Sequence, residues 1–126
     1  RRFGRRYPLA LATGSPREAA TLVLRRFDLV DSFRVVVTRE DYALEKPQPD
    51  AFLRACTMLQ VEPSSCLVVE DSHKGLRAAC AAGIPCVVVP NDYTRGGDFV
   101  TAAAVLGSIR ELSLERAESL HRELRP

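Results

Sequence analysis

Cys66-Leu67-Val68-Val69-Glu70-Asp71-Ser72-His73-Lys74-Gly75 runs four apolar residues straight into two adjacent acids. Such a run, bounded by polar residues, reads as a strand buried on both faces of a parallel sheet. Carboxylates at the end of a buried strand are costly unless a cation, a metal or hydrogen-bond donors meet them. In an open α/β sheet, ligands sit at the carboxyl ends of strands. Glu70 and Asp71 therefore mark a site, and a cation is its expected occupant.

Working outward from this stretch, strands and helices alternate. Leu9–Ala12 is a short apolar run with Pro8 before it and Thr13-Gly14-Ser15-Pro16 after it, so a strand and then a turn. Pro16 suits the first turn of a helix, with Ser15 as its cap. Ala19, Leu22, Val23, Arg26 and Phe27 recur at helical spacing, while Val35-Val36-Val37 within Phe33–Thr38 is a strand by β-branching. Pro49 opens a second helix, Asp50 suits its positive end, and Phe52, Leu53, Cys56 and Leu59 form its apolar stripe. A third helix runs from about Ser72 to Ala82, where Gly83 and Pro85 stop it. Cys86–Val89 is a further strand, Val105-Leu106 a minimal one, and the Glu/Arg/Leu-rich tail, residues 109–126, reads as helix. This order predicts βαβ units, a parallel sheet and helices on both faces. Neither G-x-G-x-x-G nor G-x-x-x-x-G-K-[ST] occurs, so a dinucleotide fold and a P-loop are not indicated.

The chain has 126 residues, enough for one domain with a core. Its 46% hydrophobic and 27% charged content describes a globular protein, and no apolar run approaches a membrane span. It starts at Arg1 without a signal-peptide pattern, which reads as a segment of a longer, cytoplasmic protein. A net charge of +2 does not argue for nucleic acid, and Arg1, Arg2, Arg5 and Arg6 read as a solvated end rather than a polyanion-binding arm. Cys56, Cys66, Cys80 and Cys86 show no zinc spacing and lie in apolar segments, so all four are expected to be buried, reduced thiols.

Three places carry chemistry. The Thr13 hydroxyl, beside the backbone N–H groups of Gly14 and Ser15 and a helix N-terminus, suits a phosphate; the alternative is a plain turn. Lys46 and Lys74 are the two lysines among 18 basic residues. Pro47 holds Lys46 in an extended loop, where its ammonium offsets phosphoryl charge unless it is merely a solvated lysine. Glu70 and Asp71 suit Mg²⁺, which takes one or two protein carboxylates plus waters and phosphate oxygens. Alternatively Asp71 caps the following helix and Glu70 pairs with Lys46; one acid on metal and the other on lysine satisfies both readings. Gly75 inside a helix costs about 1 kcal/mol relative to alanine, which implies a close approach at that position. His73 reads as a surface helix residue.

Taken together, Ala-Thr13-Gly-Ser, Lys46-Pro-Gln-Pro-Asp and Val-Glu70-Asp71-Ser-His-Lys-Gly resemble the second, third and fourth motifs of the haloacid dehalogenase superfamily of phosphohydrolases, over residues 7–106. Asn91-Asp-Tyr-Thr-Arg-Gly-Gly-Asp98-Phe is similar to a loop of its Cbb-type sugar phosphatase branch, near β-phosphoglucomutase and phosphoglycolate phosphatase. The resemblance implies an α/β fold, a three-layer α/β/α Rossmann-like core with a parallel sheet. It implies Mg²⁺-dependent hydrolysis of a small phosphorylated metabolite, such as a sugar phosphate, through an aspartyl-phosphate. By position, Thr13, Gly14, Ser15 and Lys46 would bind the phosphoryl group, with Thr13 and Lys46 catalytic. Asp71 would ligate Mg²⁺, and Glu70 would be a second ligand or orient Lys46. The family's nucleophile and acid/base lie in an Asp-x-Asp motif, which this chain does not contain. The chain thus reads as one partial core domain, 1–126, lacking the first central strand and the cap domain, inert alone and partnered by the N-terminal part of its parent. A catalytically dead binding domain and a phosphosugar mutase are the alternatives; no nucleic-acid or membrane partner is implied.

Overall fold

The computed structural model describes residues 6–124. Arg1, Arg2 and Arg5 of the basic start lie outside the described residues, and Arg6 sits 3.6 Å from Glu118. The elements are β1 (Ala10–Ala12), α1 (Arg17–Arg26), β2 (Val35–Val37), α2 (Asp50–Leu59), β3 (Val68–Glu70), α3 (His73–Ala82), β4 (Cys86–Val88), β5 (Ala104–Val105) and α4 (Leu114–Leu124). Short 3-10 turns at Val30–Ser32, Arg39–Asp41, Pro63–Ser65 and Ile109–Glu111 join them. The strand read from Cys66 onward begins two residues later and includes Glu70, so that acid lies within the sheet.

All pairing is parallel. β1 pairs with β2, Ala10 opposite Val35 and Ala12 opposite Val37. β4 lies between β3 and β5, with Val68 opposite Cys86 and Val87 opposite Ala104. Among the described residues β1 and β3 are not hydrogen-bonded to each other, so the two sheets stay separate.

Side-chain alternation along β4 makes the layers. Cys86 and Val88 face Phe52 and Cys56 of α2 and Leu76 and Ala79 of α3. Val87 faces the other way, against Leu106, Leu112 and the α4 residue Ala117. Val87 and Val88 are fully buried, as a strand covered by helices on both faces requires.

Four local expectations are corrected. The stripe Leu22, Val23 and Phe27 of α1 is exposed, Leu22 at 61% and Phe27 at 62%, while Ala20 and Leu24 are buried. Periodicity shows that a helix has an apolar side, and here no described element covers it. Ser15 does not cap α1: Pro16 holds the N-cap position, and the Glu40 carboxylate accepts the Arg17 N–H at 2.9 and 3.1 Å. Asp71 does not cap α3, because the Ser72 hydroxyl accepts the Gly75 N–H at 3.1 Å. Cys56 and Cys86 are buried and Cys66 is half-buried, but Cys80 falls on the outer side of α3 and is exposed. Gly83 closes α3 in the left-handed region, at φ 76°.

Candidate active site at the strand ends

Lys46 joins the two sheets. Its cis peptide bond to Pro47 sits in the loop before α2. Its Nζ donates to Glu70 Oε2 at 2.6 Å and to the Ala12 carbonyl at 3.4 Å, and it lies 4.7 Å above the Phe52 ring. The ammonium therefore touches the last residue of β1 and the last residue of β3. The lysine and glutamate side chains are only 21% and 11% exposed, so the pair is sheltered from the solvent screening that weakens surface ion pairs.

Helix α3 makes room for this pair. A Cβ on Gly75 would stand 2.0 Å from Glu70 Cδ, so only glycine lets the carboxylate rest on the first turn. Glu70 Oε1 also accepts the Asp71 N–H, at 3.2 Å. Both oxygens of Glu70 are thus engaged by the chain itself.

Asp71 is exposed and held differently. Asn91 Nδ2 donates to Asp71 Oδ2 at 3.2 Å, and Thr94 Oγ1 donates to the Asp71 carbonyl at 2.5 Å. Asp71 Oδ1 has no hydrogen-bond partner among the described residues. His73 Nδ1 lies 2.7 Å from the Asp98 carbonyl, so this nitrogen carries the proton and ties the far end of the same loop to α3. Sequence alone gives Asn91 and Thr94 no role of their own. The Asn-x-x-Thr spacing of a side-chain-closed turn was the available signal.

The turn after β1 is braced from the loop after β2. Thr13 Oγ1 accepts the Ser15 N–H at 3.1 Å, and the Tyr42 hydroxyl donates to the Thr13 carbonyl at 3.2 Å. Arg17 Nη2 reaches both oxygens of Asp41, at 2.7 and 2.6 Å. Asp41 is held below the usual carboxylate range first by the Thr38 N–H, and Glu40 by its own and the Arg17 N–H. Gly14 and Ser15 are exposed at the tip. Ala12, Lys46 and Glu70 are thus brought together, with Asp71 next to Glu70 in the chain, whereas the Thr13 hydroxyl accepts within its own turn.

Two other features bear on the chemistry. Burial pushes the Cys66 and Cys86 thiols up to about 12, so neither supplies a thiolate near neutral pH. A groove of about 400 Å³ bordered by Leu53, Cys56, Gln60 and Pro63 contains none of the site residues. No helix among the described residues is long and apolar enough to cross a membrane.

A family model described as haloacid dehalogenase-like hydrolase matches residues 4–89. The chain is 41% identical over 97 residues to protein CbbY of Rhodobacter capsulatus, covering 75% of this chain and 43% of that protein. It is 36% identical over 106 residues to hexitol phosphatase B of Escherichia coli K12, covering 83% of this chain and 48% of that protein. The crystal structure of CbbY from Rhodobacter sphaeroides in complex with phosphate superposes with a TM-score of 0.84 at 35% identity, over 88% of this chain and 51% of that one. The chain spans about half the length of the curated relatives it matches.

Proposed function

This chain belongs to the haloacid dehalogenase-like hydrolase family, in its Cbb branch, and from that premise we propose that it forms the phosphate-binding half of a Mg²⁺-dependent phosphomonoester hydrolase. The substrate is a small phosphorylated metabolite, a sugar phosphate in the first instance. The observation that carries this reading is the Lys46 ammonium, held between the ends of β1 and β3 on Glu70, the residue that precedes Asp71 in the chain. A fixed cation and a metal-binding acid at one sheet edge suit a phosphoryl group, whose transfer depends on positioning and charge stabilisation. The turn Thr13-Gly14-Ser15 adds the Gly14 N–H and the Thr13 and Ser15 hydroxyl protons at the end of the strand that Lys46 touches.

The residues present fit Mg²⁺ in a specific way. Glu70 is occupied by Lys46 and a backbone N–H, whereas Asp71 keeps Oδ1 open. Among the described residues no group of three acids, histidines or cysteines is gathered to hold a metal. Mg²⁺ asks for only one or two protein carboxylates, the remaining ligands being waters and phosphate oxygens. Asp71 would hold the ion and Glu70 would orient Lys46. When bound, Mg²⁺ would screen the charge of the phosphoryl oxygens.

The nucleophilic aspartate is the component this chain does not carry, since no Asp-x-Asp occurs in it. We therefore expect the 126-residue chain alone to be inert, with the aspartyl-phosphate forming on a residue outside it. The same absence favours one second reading, a binding domain without catalysis. Assay of the whole protein against a panel of sugar phosphates with Mg²⁺ separates the two. Released phosphate from the whole protein, with none from residues 1–126, supports the hydrolase. Turnover by the short chain overturns the division of labour, and no turnover by the whole protein favours the binding domain.

A further inference from the structure

We propose that Asn91 and Thr94 form a clamp that sets the direction of the Asp71 carboxylate and so tunes the affinity of the site for a divalent cation. This rests on the metal-binding reading of Asp71 and goes beyond it, to residues on a different loop that act through Asp71 rather than on the ion or the substrate.

The hydrogen bonds leave little freedom in how the clamp is assembled. Asn91 Oδ1 accepts from the Tyr93 N–H at 2.8 Å and the Thr94 N–H at 3.0 Å. Backbone N–H groups can only donate, so this oxygen must face them and the amide cannot be turned over. Nδ2 is thereby committed to the other side, where it donates to Asp71 Oδ2 at 3.2 Å. Thr94 Oγ1 accepts the Asn91 N–H at 2.9 Å and gives its single proton to the Asp71 carbonyl at 2.5 Å. One short turn therefore grips Asp71 at both main chain and side chain. Asp71 is exposed and belongs to neither β3 nor α3, so without this grip its carboxylate would sample several rotamers.

The consequence for a bound ion is that one oxygen is spoken for and the other is presented. A carboxylate whose outer oxygen is already hydrogen-bonded loses less freedom on ligating a metal. Partners of this kind characteristically change metal affinity by about 10–100-fold when removed. Tyr93 sits in the same turn but its side chain is 98% exposed, so it shares the loop without sharing the grip.

The test uses the whole protein, with Mn²⁺ as a paramagnetic probe read by EPR and thermal melting read alongside. Asn91→Ser keeps an oxygen that can close the turn but is too short to reach Asp71, and Thr94→Val removes the donor to the Asp71 carbonyl. Each should raise the Kd for Mn²⁺ about tenfold or more and raise the Mg²⁺ concentration at half-maximal turnover, leaving the substrate KM at saturating metal unchanged. Tyr93→Ala should bind Mn²⁺ like the parent. Wild-type affinity in both Asn91→Ser and Thr94→Val overturns the clamp while leaving the hydrolase reading intact. So does an equal loss in Tyr93→Ala, which would make loop integrity the cause. A wild-type protein that binds no Mn²⁺ overturns the metal reading itself, and the clamp with it.

Discussion

At the level of single residues, Gly75 and Lys46 show how the site is built into the packing. Alanine normally improves a helix interior by about 1 kcal/mol over glycine. At position 75 its Cβ would meet Glu70 Cδ at 2.0 Å, and the carboxylate could escape only by leaving Lys46. Gly75→Ala should therefore lower stability, by about 1–3 kcal/mol as an overpacked contact does. In a Glu70→Ala background the same change should turn stabilising, by up to about 1 kcal/mol. Denaturant unfolding of the four proteins in this cycle checks it, and the same sign in both backgrounds would sink the account. Lys46→Ala, in the whole protein, should lower kcat on the order of a hundredfold or more. It should also lower stability by about 1–3 kcal/mol, because Glu70 is left sheltered without its charge partner. Steady-state kinetics and melting of that variant provide the check; near-normal turnover would remove Lys46 from the site. The sequence made Gly75 conspicuous, since a glycine in a helix needs a reason. It did not reveal that the reason was Glu70, because the contact depends on how closely α3 follows β3.

Among the elements, the strands and helices were legible and their ends less so. Val35–Val37 and Cys86–Val88 declare themselves by β-branching and an apolar run, and α3 by its stop at Gly83 and Pro85. The start of α1 at Pro16 was legible but its capping group was not, because the Arg17 N–H is met by Glu40, 23 residues away, and local sequence cannot show a distant carboxylate. The turn after β1 consequently depends on two acids of the β2 loop. Both are held below the ordinary carboxylate range, Asp41 by the Thr38 N–H first and Glu40 by its own and the Arg17 N–H. A depressed carboxylate contributes stability that is complete above its unfolded pKa and disappears as pH falls through the folded value. The turn should thus be intact at neutral pH and loosen only as pH falls below the ordinary carboxylate range. The Arg17 amide resonance, followed by NMR titration, should shift with a midpoint under the ordinary Glu value, and Asp41→Asn should broaden or move it at neutral pH. A midpoint at or above that ordinary value would mean the cap is not formed as described.

For the molecule as a whole, the decisive fact is that, among the described residues, two parallel sheets share helices but no strand-to-strand hydrogen bonds. β4 is paired on both edges and buried on both faces, whereas β1 and β3 each have one neighbour among the described residues. Val69, in the middle of β3, is 46% exposed, although its sequence reads as fully buried. Composition could not have shown this, because a strand written for burial on both faces looks the same whether or not its neighbour is present. What bridges β1 and β3 is α2, through Phe52 and Cys56, and the Lys46 ammonium at the strand ends. Local opening follows burial and pairing, so the strands should not open together. Hydrogen exchange on residues 1–126 should find the β4 amides of Val87 and Val88 the slowest, with those of β1 and of Val69 exchanging at least about tenfold faster. Binding of a further strand between the sheets would bring β1 and β3 toward the protection of β4, so the comparison repeated on the whole protein should narrow the difference. Equal protection of β1, β3 and β4 in the short chain would show that the two sheets already behave as one, and that no strand is wanted between them.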